Sequence, residues 1–200
     1  MTRRTNFQYC MITDRKQCRQ SLHELAEQAE AAGVDYFQLR DKELEPAELL
    51  EVARHLRPLL SRTRFIVSGR LEVALASGAD GVHLQKDNIP VWAVRKKCPK
   101  LLIGFSAHTR EEFRLAEENG ADYAFVSPVF RTKSKSMDTA PLGCETLASW
   151  ISGSRIPVFG LGGVGAANVA ELQKSGCAGA AGISLFLNEG NFDSSGMVVG

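Results

Sequence analysis

One short phrase recurs along this chain and limits the folds that are open to it. It reads AAGVDYFQL from Ala31, ASGADGVHL from Ala76, ENGADYAFV from Glu118 and, more loosely, KSGCAGAAGI from Lys174. In each copy a helical pattern ends at a glycine, which can take the left-handed conformation that closes a helix, and an apolar run follows. Each copy is therefore predicted to join a helix to a strand.

Four more apolar runs of strand length lie between these joints. They read QYCMIT from Gln8, RFIVS from Arg64, LLIGFS from Leu101 and IPVFGLGG from Ile156. Helical patterns such as LHELAEQAEAAG, PAELLEVARHLRPLL, EEFRLAEENG and AANVAELQKSG alternate with the strands. Eight near-continuous apolar strands with intervening helices favour an α/β fold, a (β/α)8 TIM barrel, since its strands are buried on both faces. An open doubly wound sheet is the alternative.

The end of the chain departs from this alternation. The stretch LFLNEGNFDSSGMVVG is rich in Gly and Ser and has no amphipathic period. The eighth helix is therefore predicted to be shortened or missing. We expect a single barrel domain over residues 1–186 and a flexible C-terminal tail over residues 187–200.

Composition narrows the class of partner. Twenty-four basic residues nearly balance twenty-three acidic ones, and no long run of like charge occurs, so neither a nucleic-acid nor a membrane surface is predicted. The apolar stretch after the N-terminal arginines is too short for a signal peptide or membrane span, which favours a cytoplasmic protein. Five scattered cysteines indicate neither a disulfide framework nor a zinc site. The expected partner is a small molecule.

Ligands of such barrels bind at the carboxyl ends of the strands, so those positions are the candidates. Strand two ends in QLRDK, where a period of two places Gln38, Arg40 and Lys42 on one side and predicts an anion site. The loop after strand six, SPVFRTKSKS, interleaves hydroxyl groups with cations that could wrap a diphosphate. Ordinary surface charges on a strand end and a flexible basic loop are the alternatives.

The ends of strands seven and eight predict a phosphate site. Gly162 and Gly163 follow strand seven, and Ile183 and Ser184 follow strand eight, where barrel proteins commonly bind phosphate through backbone amides. The alternative is that these glycines only make tight turns.

Two histidines lie on or after strands. His108 follows strand five and could carry a proton or bind substrate, because the pKa of an ordinary imidazole lies near neutrality; it could equally cap the helix that begins TREEF. His83 lies inside strand four, where a packed, hydrogen-bonded ring is expected.

The strand ends together resemble the thiamine phosphate synthase and thiazole tautomerase family, from Tyr9 to about Phe186. The matching pieces are MITD, QLRDK, ADGVHL, GFSAHT, ADYAFVSPVFRTKSK, IPVFGLGGV and GIS. The resemblance implies a (β/α)8 barrel. It also implies a reaction that joins hydroxymethylpyrimidine diphosphate to thiazole phosphate, releasing pyrophosphate with the help of Mg2+. Members of that family often pair, so a homodimer is one expectation.

The resemblance also assigns roles to residues. The pyrimidine diphosphate would face Gln38, Arg40, Lys42, Thr132, Ser134 and Lys135, and the thiazole phosphate would face Gly162, Gly163, Ile183 and Ser184. Ser106 and His108 would lie between the two substrates. With Lys135 they are the catalytic candidates.

This chain departs from the family's metal site. Synthases usually end strand three in Asn-Asp, an amide for the pyrimidine and a carboxylate for Mg2+, whereas this chain has Ser68-Gly69. The second carboxylate aligns with Asn88. Since Mg2+ prefers anionic oxygen ligands, its binding is predicted to be weakened. Asp87 could shift into the ligand role, and Lys86 could replace part of the metal's charge.

Two further functions stay open at this point. The tautomerase branch works without metal and commonly ends strand three in Asn-Gly, closer to Ser68-Gly69. The histidine that it uses aligns with Pro128, so His108 would have to substitute for it. A noncatalytic binder of phosphorylated thiamine precursors is the other alternative.

Overall fold

The chain forms a closed barrel of eight parallel strands in sequence order, which excludes the open sheet. We describe it from a computed structural model that covers residues 7–18, 20–132 and 140–186. The strands are β1 (Gln8–Ile12), β2 (Tyr36–Leu39), β3 (Arg64–Ser68), β4 (Gly81–Leu84), β5 (Leu102–Ala107), β6 (Tyr123–Val126), β7 (Val158–Gly160) and β8 (Gly179–Gly182). Pairing of β1 with β8 closes the barrel.

Helices connect the strands on the outside of the barrel. They are α1 (Leu22–Ala31), α2 (Pro46–Leu56), α3 (Leu71–Ser77), α4 (Val91–Lys97), α5 (Arg110–Glu118), α6 (Cys144–Ile151) and α7 (Val169–Lys174). The quoted sequence patterns predicted α1, α2, α5 and α7, and the alternation of strands and helices predicted a helix between the other strands as well. A 3-10 turn, Ser184–Phe186, ends the described chain. The tail predicted over residues 187–200 lies outside the described residues.

The recurring phrase forms the helix-to-strand joints, as predicted. Its four glycines, Gly33, Gly78, Gly120 and Gly176, have φ values of 68°, 69°, 91° and 87°. These values lie in the left-handed region that glycine adopts without steric cost, so each helix can close and turn into the next strand.

The aspartate of the phrase ties neighbouring strands together. A carboxylate oxygen of Asp35 accepts the N–H of Tyr9 at 2.8 Å, and one of Asp80 accepts the N–H of Phe65 at 2.7 Å. Asp122 repeats the contact with Ile103, also at 2.7 Å. The phrase therefore fixes the register at the amino-terminal end of the barrel, opposite to the candidate site.

Two hydrophobic layers support the barrel. The larger one lies between the strands and the helices and includes Phe37, Phe65 and Phe113. The smaller one fills the barrel interior with Cys10, Ile12, Tyr36, Ile66, Tyr123, Phe125, Phe159 and Ala181. Because side chains alternate along a strand, the interior set shows which residues at the strand ends also point inward. None of the described helices is long and apolar enough to cross a membrane.

Candidate functional site

Polar side chains form the layer above the apolar interior. Gln38 follows Tyr36 by two residues, Ser68 follows Ile66, and the interior His83 pairs in register with Ser68. Ser106 lies on β5, two residues beyond Gly104, the register partner of His83, and its hydroxyl reaches the His83 ring. The layer therefore contains amide, hydroxyl and imidazole groups and no carboxylate at these four positions.

Gln38 is buried with part of its hydrogen-bonding capacity unused. Its residue exposure is 2 %, and its Oε1 has no hydrogen-bond partner among the described residues. A buried amide oxygen without a partner is costly, so such an atom indicates where a ligand donor could bind.

His83 is the most enclosed member of the polar layer. Its Nε2 lies 2.8 Å from Ser106 Oγ, its Nδ1 lies 3.3 Å from Tyr123 Oη, and its ring stacks on Phe125 at 4.2 Å between centroids. Burial lowers the pKa of His83 to about 3, so the ring is neutral at physiological pH. The expectation of a packed, hydrogen-bonded ring agrees with this geometry.

Charged residues line a pocket on the loops that follow β1 and β2. A pocket of about 260 Å³ is lined by Asp14, Arg15, Lys16, Arg40, Asp41, Lys42 and Glu43. Arg40 lies 3.5 Å from Asp14, and Arg15 and Lys16 form ion pairs with Asp41 and Glu43. The loops after β1 and β2 are thus joined by alternating charges.

The structure separates Gln38 from the two cations that were predicted on its side. Strand β2 ends at Leu39, so the period of two does not extend to Arg40 and Lys42. Beyond this end, Thr13 Oγ1 accepts the N–H of Arg40 at 2.9 Å. As a result Gln38 lies inside the barrel, whereas Arg40 and the exposed Lys42 line the pocket at its mouth.

The glycines after β7 pack tightly against the loop after β6. An ideal Cβ on Gly162 would lie 2.9 Å from Pro128 Cα, and one on Gly163 would lie 2.2 Å from the carbonyl oxygen of Arg131. Their φ values of 91° and 67° also require glycine. Close loop packing therefore explains both glycines.

The same glycines also leave backbone donors available for a phosphate. The hydrogen bonds between the two loops use the N–H groups of Val129 and Phe130, not those of Gly162 and Gly163, within the described part of the chain. At the end of β8, Ile183 is partly buried and Ser184 opens the final 3-10 turn. Tight turns and phosphate binding are thus compatible at these positions.

His108 lies at the rim and is oriented by the end of β6. Its Nδ1 lies 2.8 Å from the carbonyl oxygen of Ser127, the residue before Pro128. A carbonyl can only accept, so the nitrogen that faces Ser127 is a donor. The cap of α5 is Thr109, whose hydroxyl accepts the N–H of Glu112, and not the His108 side chain. The alternative that His108 caps this helix is therefore wrong.

The two positions that align with metal carboxylates converge in space. An ideal Cβ on Gly69 would lie 3.5 Å from the side-chain oxygen and nitrogen of Asn88. Gly69 offers no side-chain ligand, and Asn88 Oδ1 accepts the N–H of Gln85 at 2.8 Å. The amide oxygen is thus used to close the turn after β4.

The remaining metal candidates do not complete a site. Asp87 is exposed, and Lys86 lies 3.6 Å from Glu112. No group of three or more histidine, cysteine or acidic residues that could hold a metal ion occurs in the part of the chain that the structure covers. The donor set around Gly69 and Asn88 therefore does not fit Mg2+, which needs several hard oxygen ligands.

The loop after β6 contains three predicted substrate contacts, of which the structure describes one. Thr132 is described and partly buried. Ser134 and Lys135 lie outside the described residues, so their predicted contacts with a diphosphate stay predictions.

Sequence reasoning missed Tyr123 and Gly104 as parts of the site. Gly104 lacks a side chain that would otherwise collide with Tyr123 Oη and His83 Nδ1, both 2.4 Å from its ideal Cβ position. The alternation of side chains along β5 and β6 could have predicted these residues, because it points Tyr123 and Phe125 into the barrel.

Fold and site together define a (β/α)8 barrel of the kind that binds small charged ligands at the carboxyl ends of its strands. The family model described as thiamine monophosphate synthase matches residues 9–186, so the chain belongs to this family. Its relatives include a protein named putative thiamine-phosphate synthase 2 from Aquifex aeolicus, which is 38 % identical over 88 % of this chain and 95 % of the relative. Thiamine-phosphate synthase of Moorella thermoacetica is also 38 % identical, over 88 % and 85 %.

Solved structures agree with this assignment. Thiamine phosphate pyrophosphorylase from Pyrococcus furiosus superposes with a TM-score of 0.83 at 33 % identity, covering 92 % of this chain and 90 % of that one. A 3-hexulose-6-phosphate synthase superposes with a TM-score of 0.65 at 18 % identity, a likeness that shows the fold alone.

Proposed function

We propose that the protein is a thiamine phosphate synthase-like transferase, which couples hydroxymethylpyrimidine diphosphate with thiazole phosphate and releases pyrophosphate. The observation that carries this proposal is the Oε1 of Gln38, which is buried without a partner among the described residues and lies two residues before Arg40, a cation of the charged pocket. An aminopyrimidine offers the N–H donor that this oxygen lacks, and its diphosphate would extend toward the charged rim.

The charges at the rim suit a diphosphate. The pocket holds the four cations Arg15, Lys16, Arg40 and Lys42 against three carboxylates, and Arg40 and Lys42 come from the loop that follows Gln38. Arginine and lysine can both bind phosphate oxygens. Because the residues at Gly69 and Asn88 do not fit Mg2+, we assign the neutralisation of the departing pyrophosphate to these cations.

Phosphate binding at the ends of β7 and β8, next to β1 in the closed barrel, would hold the second substrate. Among the described residues, the loop packing does not use the backbone N–H groups of Gly162 and Gly163, and Ile183 and Ser184 lie at the adjacent strand end. Backbone donors at these two strand ends are a common phosphate site of this fold. Ser106 would lie between the two substrates.

The test is to incubate the protein with both substrates, with and without Mg2+, and to measure thiamine phosphate as fluorescent thiochrome. We expect product, with Gln38→Leu lowering kcat/KM at least tenfold and the exposed Lys97→Ala leaving it unchanged. Product without Mg2+ would support neutralisation by cations. Absence of product from protein that binds thiazole phosphate would contradict a transferase and leave a tautomerase or a noncatalytic binder.

A thiazole tautomerase is the second candidate, and the position of His108 favours it. Its ring is bonded to Ser127, next to Pro128, the position where the family's tautomerases are expected to carry their histidine. The imidazole of His108 could therefore move a proton at the rim. Loss of thiazole isomerisation in His108→Ala, with His55→Ala unaffected, would support this role, and unchanged isomerisation would remove it.

A further inference from the structure

Three buried or half-buried groups form a continuous hydrogen-bond chain inside the barrel. Tyr123 Oη lies 3.3 Å from His83 Nδ1, and His83 Nε2 lies 2.8 Å from Ser106 Oγ. We call this the Tyr123–His83–Ser106 chain. Tyr123 and His83 are 2 % and 1 % exposed, whereas Ser106 is partly exposed at the open end.

A neutral imidazole has one donor nitrogen and one acceptor nitrogen, so the two hydrogen bonds of the chain can run from Tyr123 to Ser106 or from Ser106 to Tyr123. In the first, the Tyr123 hydroxyl donates to Nδ1, and Nε2–H donates to Ser106. In the second, Ser106 donates to Nε2, and Nδ1–H donates to Tyr123. A hydroxyl group can donate or accept, so the surroundings of Tyr123 and Ser106 decide the direction of the hydrogen bonds.

The buried end decides in favour of the first direction. Within the described residues, the Tyr123 hydroxyl has His83 as its only hydrogen-bond partner. If Nδ1 donated to it, the phenolic proton would be left without an acceptor in a closed apolar interior, which is unfavourable. If the hydroxyl donates to Nδ1, both buried groups are paired. The neutral ring then carries its proton on Nε2.

We propose that Tyr123 and His83 fix Ser106 as a hydrogen-bond donor toward the bound ligand. The Ser106 oxygen accepts from Nε2–H, so the Ser106 proton points to the open side of the site. The ligand atom that binds there must then be an acceptor, such as a ring nitrogen or an ester or phosphate oxygen, and not an amino group. This proposal rests on the proposed function in placing the ligand beside Ser106.

The packing around the chain keeps this arrangement in place. The His83 ring stacks on Phe125 with 4.2 Å between centroids and 29° between planes, which opposes a flip of the ring. Gly104 allows the contact between Tyr123 and His83, because its ideal Cβ would lie 2.4 Å from the two bonded atoms. Tyr123 and His83 are thus positioning residues, and Ser106 is the residue that touches the ligand.

The direction of the chain can be measured without any ligand. In the 15N-labelled protein at pH 7, long-range 1H–15N spectra report which imidazole nitrogen carries the proton, and His83→Gln identifies the His83 signals by their loss. We expect His83 with a protonated Nε2 and an unprotonated Nδ1. A proton on Nδ1, or on both nitrogens, would overturn the proposal.

Variants then test whether the direction of these hydrogen bonds affects ligand binding. Tyr123→Phe removes the group that sets the direction, so we expect the Nε2–H form to lose its preference and hydroxymethylpyrimidine diphosphate to bind several-fold more weakly. Ser106→Ala should weaken binding by roughly tenfold, as expected for loss of one hydrogen bond. Tyr36→Phe is the matched control, since it removes an interior hydroxyl outside the chain.

The imidazole spectra and the binding measurements test the inference and the proposed function separately. If Ser106→Ala weakens binding while Tyr123→Phe matches the wild type in both affinity and imidazole signals, the positioning role is wrong. If the wild type fails to bind the diphosphate although its imidazole signals are as expected, the proposed function fails and the hydrogen-bond direction stands.

Discussion

The ideal Cβ position of Gly69 lies 3.5 Å from both Oδ1 and Nδ2 of Asn88. Two positions from different strand ends therefore meet where related synthases are expected to carry metal carboxylates. In this chain the pair offers one amide, whose oxygen is already bonded to the Gln85 N–H. The pair therefore supplies no carboxylate at the place where the resemblance predicts the metal ligands.

Restoring both carboxylates is expected to create a cation site. The double variant Gly69→Asp, Asn88→Asp places two carboxylates at neighbouring positions, and the new residue at 88 can still accept the Gln85 N–H. We expect Mn2+ to bind in the presence of pyrophosphate, measured by electron paramagnetic resonance, and not to bind to the wild type at the same concentration. The left-handed φ of 72° at Gly69 will cost roughly 1–3 kcal/mol of stability.

The control for this prediction is Asp87, the alternative ligand suggested by the sequence. Asp87→Asn should leave Mn2+ binding of the double variant unchanged, since the side chain is exposed. Equal binding of Mn2+ by the wild type and the double variant would show that other residues hold the metal.

Gly104→Ala is expected to disturb the barrel interior. A methyl group there would lie 2.2 Å from Tyr123 Cζ and 2.4 Å from His83 Nδ1, so both rings must move. We expect a loss of about 1–3 kcal/mol in the free energy of unfolding, measured in urea. Gly165→Ala is the matched control, because nothing lies within 4 Å of its ideal Cβ. Equal stability of the two variants would contradict the packing argument.

Asp80→Ala tests the joints between strands. It removes the acceptor of the Phe65 N–H at 2.7 Å and the partner of Arg57 at 3.3 Å. An unpaired backbone donor at the start of β3 should lower the free energy of unfolding by about 1–3 kcal/mol. Asp80→Asn keeps an acceptor oxygen and should lose less, and the exposed Asp87→Ala should lose little. Thermal unfolding measured by circular dichroism ranks the three variants.

The sequence was sufficient to predict the barrel because its repeated phrase encodes local events. A glycine closes each helix, and in three copies the following aspartate accepts a backbone N–H of the preceding strand. Both effects act over short distances along the chain or between neighbouring strands. The order of the strands then follows from the alternation of strand and helix, which closes the parallel sheet.

The surroundings of the candidate residues could not be predicted from the sequence. The period of two was applied to QLRDK beyond the end of β2, where the Arg40 N–H is bonded to the Thr13 hydroxyl, from the residue that follows β1. The Tyr123–His83–Ser106 chain likewise joins three strands, β4, β5 and β6. Such contacts depend on tertiary packing, which periodicity along a single segment does not contain.

Glu30 is expected to make stability depend on pH in the acid range. Burial raises the pKa of this carboxyl, but hydrogen bonds from Ser61, Thr63 and Arg62 outweigh burial and lower the pKa to about 2. Since the folded pKa lies below the ordinary value of 4.5, the stabilisation is present above pH 4.5 and is lost as the pH falls toward 2. In this window the free energy of unfolding of Glu30→Gln should fall less steeply than that of the wild type. Urea unfolding at a series of pH values measures both slopes, and parallel slopes would show that Glu30 titrates alike in the folded and unfolded states.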